Sequence, residues 1–516
     1  MIRVLSLASE AVPLVKTGGL ADVVGALPHA IAAHGVQMSV MIPGYPQVLT
    51  RLSPPVAKGV KGKGGKARKP AAPPVVHEWK DLFGGPARLL SGHLDGDQAG
   101  DLLVLDAPHL FNRDGSPYAD GSGRDWADNW RRFAALSRAG ADVAGGAVEG
   151  MTFDLLHAHD WQAGLAPAYL KFAPPAGGRA VPSIMTIHNM AFQGYYPADV
   201  FPRLGLPPEA WAVNGVEYHG GVGFLKAGLE SAYGITTVSP TYALEIRSPQ
   251  FGMGLEGLIQ SRGDNVRGIV NGIDAQDWNP AEDKTIAARF SARALAKRVA
   301  NKRALEKEFG LDRDDGPLFI VVSRLTWQKG MDVLCEVLDH LVGLGGRLAL
   351  LGTGDAALVS ELHRGAARHA GRVSLRIGYD EALAHRMQAG GDAILVPSRF
   401  EPCGLTQLYG LAYGCVPVVA RTGGLADTVV DANLAAIKAG AATGIQFAGV
   451  DYQNFALGIT RTVDLYRQQD VWTEVRRAGM RMDFSWNQSA AAYAALYRTY
   501  VQEPSAEGAL NLPGDQ

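Results

Sequence analysis

The sequence predicts an α/β protein made of two doubly wound, Rossmann-like domains, and three features of the chain carry this prediction. Short apolar runs alternate with helical stretches, a turn-rich stretch at Asn271–Asp274 divides the chain, and one glycine motif occurs in each part. Continuous apolar strands separated by helices are typical of parallel sheets covered on both faces. The 516 residues are enough for two large domains of this kind.

The composition excludes several classes of function. The 49 basic and 51 acidic residues give a net charge of -2, so a general electrostatic attraction to nucleic acid or membranes is absent. No apolar run reaches the roughly 18 residues of a membrane-spanning helix, and Glu10 interrupts the apolar N-terminus, which favours a buried first strand over a signal peptide. Three scattered cysteines suggest a reducing compartment. We therefore expect a cytoplasmic protein with no nucleic-acid or membrane partner.

Apolar runs and charge patterns give the expected elements. Helices are predicted from Leu20 to about His34 and over Ala292–Glu308. The predicted strands are Val4–Ala8, Leu102–Leu105, Phe153–His157, Ser183–Ile187, Ile235–Val238, Phe319–Val322, Arg347–Leu351, Ala393–Val396 and Val416–Ala420.

The expected domain limits follow from the turn signals. Residues 1–270 form the first domain and 271–484 the second, since Asn271-Gly272 is a strong turn dipeptide. The polar tail 503–516 is expected to be disordered. The segment Lys58–Lys69 holds six basic residues and four glycines, which indicates a solvated flexible loop; a contact with a polyanion is the sharper alternative.

A glycine motif occurs twice in the chain. Thr17-Gly18-Gly19-Leu20-Ala21-Asp22 recurs at Thr422–Asp427, each time between a predicted strand and a predicted helix. At such a position backbone N–H groups can meet an anion. One element per domain suggests a ligand held in a cleft between the domains, although each glycine pair alone is no more than a tight turn.

A second glycine pattern, Gly352–Ala357, formally matches the dinucleotide-binding fingerprint. That fingerprint normally occupies the first strand–helix turn of its domain, whereas here a strand and a helix precede it. A nicotinamide dehydrogenase is therefore disfavoured, while a diphosphate contact at Gly354 stays open.

Two loops after predicted strands carry candidate chemistry in the second domain. Arg324 and Lys329 follow the strand Phe319–Val322, where open α/β sheets bind ligands, and two cations beside a helix suit a diphosphate. Taken alone, they could equally be a solvated surface pair.

The second of these loops follows the strand Ala393–Val396. It carries Glu401, whose carboxylate could grip sugar hydroxyls or balance developing positive charge, and Cys403, which we expect to be a packed, inert thiol. Gly404, Leu405 and Thr406 open the next helix with N–H groups.

Histidines follow two strands of the first domain, in His157-Ala158-His159-Asp160-Trp161 and in His188-Asn189. Neither spacing resembles a zinc or two-metal pattern, so no metal site is predicted. A histidine after a strand is more often structural than catalytic. These histidines become functional candidates only in combination with the candidate residues of the other loops.

Taken together, these motifs resemble the bacterial glycogen synthases and plant starch synthases, which are retaining GT-B glycosyltransferases. The resemblance runs in order along nearly the whole chain, and the ordered set is far more specific than any one motif. It is carried by Lys16–Val23, His157–Trp161, Thr237–Tyr242, Asn271–Asp274, Arg324–Lys329, Phe400–Gln407 and Arg421–Leu425. In many of the wider retaining group a second glutamate stands eight positions after the first, where this chain has Tyr409.

The resemblance implies a GT-B fold, with two domains facing across a deep cleft, and transfer of glucose from ADP-glucose to the non-reducing end of an α-1,4-glucan such as glycogen. It implies an acceptor side in the first domain, no cofactor and no metal. A C-terminal helix, Ser485–Val501 within residues 485–502, would return to the first domain.

The resemblance also assigns roles to individual residues. Arg324 and Lys329 would lie by the diphosphate, Glu401 near the transferred glucose, and Asp160 and His188 on the sugar side. Substrate contacts would come from Lys16, Gly18, Gly19, Gly404, Leu405 and Thr406.

Two alternatives remain at this point. The chain could be an inactive glucan- or nucleotide-binding protein, although Lys16, Arg324, Lys329 and Glu401 are all present. It could also be a transferase that uses UDP-glucose or a small acceptor, because base selectivity is not visible in the motifs.

Overall fold

The structure is a computed structural model that describes residues 1–52, 72–93 and 101–502. The basic segment Lys58–Lys69 and the tail 503–516 lie outside the described residues. Within them, no helix is both long and apolar enough to cross a membrane.

The described residues form two compact units. Unit 1 contains those of 1–238, 245–269 and 486–502, and unit 2 contains 239–244 and 270–485. The chain therefore leaves unit 1 near Ile269 and returns to it at Trp486.

The strands of the two units differ in arrangement. Those of unit 1 are β1 (Ile2–Leu7), β2 (Val36–Pro43), β3 (Val75–Trp79), β4 (Ala87–Gly92), β5 (Leu102–Asp106), β6 (Leu155–His159), β7 (Ser183–Ile187), β8 (Tyr195–Pro197), β9 (Glu217–Tyr218), β10 (Gly221–Gly223), β11 (Gly234–Thr237) and β12 (Val266–Gly268). Those of unit 2 are β13 (Leu318–Leu325), β14 (Arg347–Gly354), β15 (Val373–Ile377), β16 (Ala393–Val396), β17 (Val416–Ala420) and β18 (Ile445–Phe447).

Helices connect most of these strands. The first ten are α1 (Gly19–Ala32), α2 (Pro46–Arg51), α3 (Pro108–Phe111), α4 (Asn129–Ala144), α5 (Asp160–Ala163), α6 (Leu165–Phe172), α7 (Phe224–Ser231), α8 (Pro240–Glu245), α9 (Pro249–Gly252) and α10 (Glu256–Ser261). The others are α11 (Arg298–Phe309), α12 (Met331–Gly343), α13 (Ala356–Arg368), α14 (Glu381–Gly390), α15 (Thr406–Tyr413), α16 (Gly423–Thr428), α17 (Leu434–Lys438), α18 (Tyr452–Arg467), α19 (Gln469–Arg481) and α20 (Trp486–Gln502).

The main sheet of unit 1 has the strand order β12-β11-β7-β6-β1-β2-β5-β4-β3 among the described residues. Its strands run parallel from β12 to β5, while β4 and β3 pair antiparallel at one edge. The chain moves from β1 to one side through β2 and to the other through β6. The strand order therefore reverses between β1 and β6, which is the place where open α/β sheets bind ligands.

The sheet of unit 2 has the order β15-β14-β13-β16-β17-β18, and all its pairs are parallel. Here the order reverses between β13 and β16. The α/β class with two doubly wound units, predicted from alternating apolar strands and helices, is confirmed.

Helices cover the apolar faces of both sheets. In unit 1, α1 and α20 pack together against β1, β2 and β6, with Leu27, Tyr493 and Tyr497 fully buried. In unit 2, α12 and α18 cover one face of the sheet and α11 and α14 the other. The last helix of the chain thus completes the core of the first unit.

Several predicted bounds match the structure and others shift. The strands at Ser183–Ile187, Ala393–Val396 and Val416–Ala420 are found residue for residue. The strand predicted at Phe153–His157 begins at Leu155 and continues to His159, because pairing with β1 starts at Val4 opposite Leu155.

The helix predicted at Ala292–Glu308 begins only at Arg298, after a short 3-10 turn. Strands β2, β3, β4, β8, β9, β10, β12, β15 and β18 were not predicted.

Candidate active site

The two candidate loops of unit 2 lie side by side at the reversal point of its sheet. The loop after β13 carries Lys329, and the loop after β16 carries Glu401. The neighbouring carboxyl ends of β13 and β16 bring these loops together. A backbone hydrogen bond of 2.9 Å from the Arg399 N–H to the Gln328 carbonyl oxygen joins them directly.

Lys329 and Glu401 form an ion pair. The Lys329 ammonium donates to Glu401 Oε2, and the Ser398 hydroxyl donates to the same oxygen at 2.8 Å. The Lys329 side chain is 16% exposed and that of Glu401 is 9% exposed. The pair is therefore largely shielded from water, and the two charged groups point toward each other.

Arg324 is an exposed residue at the carboxyl end of β13, where it pairs with Thr353 of β14, and not a loop residue as predicted, because β13 extends to Leu325. Its guanidinium Nη2 is 3.5 Å from Gln328 Oε1, and Gln328 in turn donates to the Phe400 carbonyl oxygen at 3.3 Å. The structure thus brings Arg324 to the same loop pair as Lys329 and Glu401, while leaving its guanidinium accessible to an anion.

The second glycine pair, Gly423-Gly424, supports the Glu401 loop. A methyl group built on Gly423 would lie 2.0 Å from the Glu401 carbonyl oxygen, and one on Gly424 would lie 2.5 Å from Cys403 Cα. Gly423 also has φ +43°, and the Gly424 N–H donates to the Glu401 carbonyl oxygen at 3.1 Å. Both positions require glycine, because their backbone lies directly against the backbone of Glu401 and Cys403 and leaves no room for a side chain.

The first glycine pair differs in its surroundings. Gly18 has an extended backbone, and a methyl group built on it meets nothing within 4 Å. The motif also does not follow β1 directly, since residues 8–18 form a loop before α1. The two identical hexapeptides therefore have different local functions.

The loop expected at Gly352–Ala357 is partly strand. Gly352 and Gly354 belong to β14 and pair with Ser323 and Leu325 of β13. A methyl group on Gly354 would lie 2.2 Å from the Leu325 carbonyl oxygen. Close strand packing explains this glycine, and a diphosphate contact at Gly354 stays a prediction.

The N-terminus of α15 begins next to Glu401. The helix starts at Thr406, its N-cap residue Leu405 makes no side-chain capping bond, and Gly404 turns the chain with φ +73°. Uncapped N–H groups and the helix dipole favour an anion at such an end. The predicted group Gly404, Leu405 and Thr406 therefore lies beside the ion pair.

Two further residues of this region have packing roles. Burial raises the pKa of the Cys403 thiol to about 12, which confirms the inert thiol expected from the sequence. The Tyr409 ring stacks on Trp278 at a centroid distance of 3.6 Å, and Trp278 stacks on His385 at 3.8 Å. The position of the family's second glutamate is thus part of an aromatic stack.

In unit 1, the candidate residues lie at the reversal point between β1 and β6. His157 is a strand residue of β6, as predicted, and β6 also includes His159, which was expected to follow the strand; Asp160 opens α5 and His188 follows β7. The structure brings Asp160 and His188 together, since they sit at the carboxyl ends of the paired strands β6 and β7.

Asp160 holds the loop that carries His188. Its Oδ1 accepts the N–H groups of His188 at 2.7 Å and of Asn189 at 3.4 Å. Asp160 has φ +53°, a conformation that Asp and Asn tolerate better than most residues. Burial raises the pKa of its carboxyl to about 7, although the two backbone N–H groups act in the opposite direction.

His188 is a buried, neutral imidazole. Burial lowers its pKa to about 3, so it carries no charge at neutral pH. Its Nε2 lies 3.0 Å from His159 Nδ1, and His159 Nε2 lies 3.1 Å from the Ser6 hydroxyl. A neutral ring held in this way can exchange hydrogen bonds with a sugar hydroxyl.

The C-terminal helix reaches the same histidine cluster. His157 Nδ1 lies 2.7 Å from the Tyr497 hydroxyl of α20, and its Nε2 lies 2.6 Å from the Thr186 hydroxyl of β7. The His157 and His159 rings are 4.0 Å apart between centroids. The contact between His157 and Tyr497 could not be predicted from the sequence, because it joins residues 340 positions apart.

The loop with Lys16, Gly18 and Gly19 lies in the same unit. The Lys16 ammonium is 2.8 Å from Asp22 Oδ1 and its side chain is 34% exposed. Thr17 donates hydrogen bonds to Glu10, the carboxylate that interrupts the apolar N-terminus. The sequence does carry a sign of this contact, since Glu10 is a charged residue in an apolar stretch that precedes the glycine motif.

Comparison with known proteins agrees with these loops. The family model described as the starch synthase catalytic domain matches residues 3–261, and that for glycosyl transferases group 1 matches residues 302–477. A protein called glycogen synthase from Novosphingobium aromaticivorans is 67% identical over 502 residues, which are 97% of this chain and 99% of that protein. The chain belongs to the glycogen synthase family.

Other relatives of the glycogen synthase family support the same assignment. The glycogen synthase of Mesorhizobium japonicum is 55% identical, over 97% of this chain and 99% of that protein. The catalytic domain of starch synthase IV from Arabidopsis thaliana, solved with ADP and acarbose, matches with a TM-score of 0.83 at 30% identity, over 97% of this chain and 99% of that one.

The sucrose-phosphate synthase of Thermosynechococcus elongatus shares only the fold, with a TM-score of 0.58 at 17% identity, over 97% of this chain and 100% of that one. The predicted GT-B fold and the hexosyltransferase class are confirmed.

Proposed function

We propose that this protein transfers glucose from ADP-glucose to the non-reducing end of an α-1,4-glucan such as glycogen, with retained configuration, and releases ADP. Membership of the glycogen synthase family supports the reaction. The observation that carries the proposal is the meeting of Arg324, Lys329 and Glu401 at the carboxyl ends of β13 and β16.

The leaving group explains the cations. Breaking the bond between the sugar and the diphosphate leaves negative charge on ADP, so groups fixed before the reaction stabilise the transition state. Arg324 offers a planar fork for two oxygens, Lys329 offers a point charge, and the N-terminus of α15 adds N–H groups from Gly404, Leu405 and Thr406. Because these groups supply the positive charge, the proposed reaction uses neither metal nor cofactor.

In this proposal Glu401 acts on the transferred glucose. Its carboxylate is held by Lys329 and Ser398, so its orientation is fixed before the donor binds. A fixed carboxylate can accept hydrogen bonds from sugar hydroxyls and balance the positive charge that grows at the anomeric carbon. We assign the front-face route to retention, with the leaving phosphate taking the proton of the acceptor hydroxyl.

The residues of unit 1 serve the substrates in this proposal. Lys16, Gly18 and Gly19 lie by the nucleotide sugar, and the open space at Gly18 supports a close approach of a ligand. Asp160 and His188 line the sugar side, where the neutral His188 ring contacts hydroxyls without adding a charge. We further propose a cytoplasmic location, with no nucleic-acid or membrane partner.

Steady-state kinetics with ADP-glucose and glycogen tests the cations. We expect Arg324→Ala and Lys329→Ala each to lower kcat by roughly 10²–10³, because removing one preorganised contact costs about 3–4 kcal/mol. KM for ADP-glucose should rise less, since the diphosphate charge grows in the transition state. Arg324→Lys should recover only part of the rate, because an ammonium lacks the two-oxygen fork.

Arg364→Ala is the matched control, since Arg364 is an exposed arginine on α13 of the same unit. If kcat is unchanged in both alanine variants, the proposed mechanism is excluded. If only KM changes, Arg324 and Lys329 bind the donor but do not stabilise the transition state. Rates with ADP-glucose and UDP-glucose, measured side by side on the unmodified protein, decide the donor. Absence of transfer from both would indicate an inactive binding protein.

A further inference from the structure

Glu10 is a buried carboxylate that the proposed mechanism does not use. It lies in the loop after β1 and is 2% exposed, among residues that lead to the Lys16–Gly19 segment. A carboxylate is costly to bury unless hydrogen bonds satisfy its oxygens. The donors that reach Glu10 therefore indicate why it is placed there.

Three donors converge on the two carboxylate oxygens of Glu10. The Thr17 N–H donates to Oε2, the Thr17 hydroxyl donates to Oε1 at 2.6 Å, and the Tyr118 hydroxyl donates to Oε1. Thr17 thus binds both oxygens of the same side chain. Such a two-point attachment fixes the backbone of Thr17 in orientation as well as in position.

Tyr118 fixes Glu10 in turn. Its hydroxyl also lies 2.9 Å from the Ser9 hydroxyl, and its carbonyl oxygen accepts from Asn129 Nδ2 at 2.8 Å and from the Trp126 N–H at 3.1 Å. The loop before α4 is therefore tied to the loop after β1. Glu10 connects this rigid part of unit 1 to the glycine segment.

The glycine segment itself has little packing at Gly18. Gly18 is the N-cap of α1, and a methyl group built on it would meet no atom of the described residues within 4 Å. Thr17 is the residue between Lys16 and Gly18, so its position sets the direction of the Lys16 side chain and of the Gly18 backbone.

We propose that Glu10 is a positioning residue for the donor-binding segment Lys16–Gly19, which it holds through Thr17, with Tyr118 fixing the carboxylate. This inference rests on the proposed function, which places that segment at ADP-glucose. Glu10 itself touches no reacting atom in this proposal.

Substitutions at Glu10 and Thr17 test the attachment by kinetics. Glu10→Gln removes the negative charge and one acceptor oxygen, so the charge-assisted hydrogen bonds from Thr17 and Tyr118 are weakened. We expect kcat/KM for ADP-glucose to fall roughly 10- to 100-fold, the range for a hydrogen bond to a charged group, while KM for glycogen stays within about twofold. Thr17→Val should lower kcat/KM for ADP-glucose by a smaller factor than Glu10→Gln does. Thr17→Ser should restore most of the activity that Thr17→Val loses, because serine keeps the hydroxyl.

The double variant separates positioning from general damage. If Glu10 acts through Thr17, adding Thr17→Val to Glu10→Gln should cost much less than Thr17→Val alone. Fully multiplicative losses would overturn the proposal, as would a Glu10→Gln protein with unchanged kcat/KM.

Two neighbouring tyrosines provide a matched pair. Tyr45 is buried near the Glu10 charge, and its hydroxyl has no hydrogen-bond partner among the described residues, whereas the Tyr118 hydroxyl donates to Glu10 directly. Tyr118→Phe should lower kcat/KM and Tyr45→Phe should leave it nearly unchanged. Equal losses in both would overturn the proposed link.

Hydrogen exchange of peptides covering residues 8–22 gives a readout that does not need activity. Glu10→Gln should speed exchange at Thr17 and its neighbours while the melting temperature changes little. Unchanged exchange would overturn the inference even in an active enzyme. Faster exchange in a protein whose unmodified form transfers no glucose would instead leave the attachment in place and reject the proposed function.

Discussion

At the residue scale, Asp160 combines a structural task with an unusual proton equilibrium. Its Oδ1 holds the His188 loop, and burial raises its pKa to about 7. The unfolded carboxyl titrates near its ordinary value of about 3.9. Between these values the folded protein keeps a proton that the unfolded chain has lost.

We therefore predict that Asp160 makes the protein less stable as pH rises from about 4 to 7, with no further loss above that. Asp160→Asn removes the titration, and asparagine tolerates the same backbone and still accepts both N–H groups. The difference in stability between the variant and the unmodified protein should grow with pH, at most by about 1.4 kcal/mol per unit. Calorimetry from pH 5 to 8 measures it.

Asp199→Asn, the same substitution at an exposed site of unit 1, is the control. A stability difference for Asp160→Asn that is constant over this range would contradict the prediction.

At the element scale, the two copies of the Thr-Gly-Gly-Leu-Ala-Asp motif show that one sequence can meet two requirements. Gly423 touches the Glu401 backbone, whereas Gly18 faces open space. We predict that Gly423→Ala destabilises unit 2 by a few kcal/mol, through its left-handed φ and the clash, and abolishes activity by displacing Glu401.

Gly18→Ala should leave stability within about 0.5 kcal/mol, because the added methyl group meets nothing. Its kcat/KM for ADP-glucose should fall about tenfold or more, as expected for a methyl group forced against a ligand. Thermal melts and kinetics of the two variants check both statements. Full activity of Gly18→Ala would show that no ligand approaches this glycine closely.

The elements also show what the sequence could predict. Arg324, Lys329 and Glu401 were found because each stands at or after the carboxyl end of an apolar strand, and the ends of neighbouring parallel strands must meet. The Lys329–Glu401 ion pair itself was not predictable, because it depends on which strands are neighbours. Glu10 was missed since its partner Tyr118 is far away in sequence, and the strand β6 was expected to end at His157 because His159 was read as following it.

At the scale of the whole molecule, the core of unit 1 is built from two distant parts of the chain, because α20 joins it after the chain has passed through unit 2. The family resemblance predicted a helix that returns to the first domain, and α20 lies against α1. Composition alone could not predict this contact, since nothing in the apolar pattern of residues 486–502 specifies its partner. The contact was predicted instead from the family that the ordered motifs resemble, whose C-terminal helix returns to the first domain.

We predict that residues 1–269 alone do not form a stable unit. Without α20, the apolar face of α1 around Leu27 and Ile31 loses its cover. The fragment should bind a hydrophobic dye and lack a cooperative melt, whereas the same fragment fused to residues 485–502 should fold. Solubility, dye fluorescence and circular dichroism compare the two.

A fusion that carries Tyr493→Asp provides the control, because Tyr493 is fully buried against unit 1. A bare fragment that melts as cooperatively as the fusion would show that α20 is dispensable.

The return of α20 also has a consequence for biosynthesis. Domains of large proteins generally fold in the order in which they leave the ribosome. Here the residues that close the first core are translated after the whole of unit 2, which is nearly continuous in the chain. Unit 1 therefore keeps an uncovered apolar face on α1 until synthesis reaches α20, and transiently exposed apolar surface of this kind makes a nascent chain prone to aggregate.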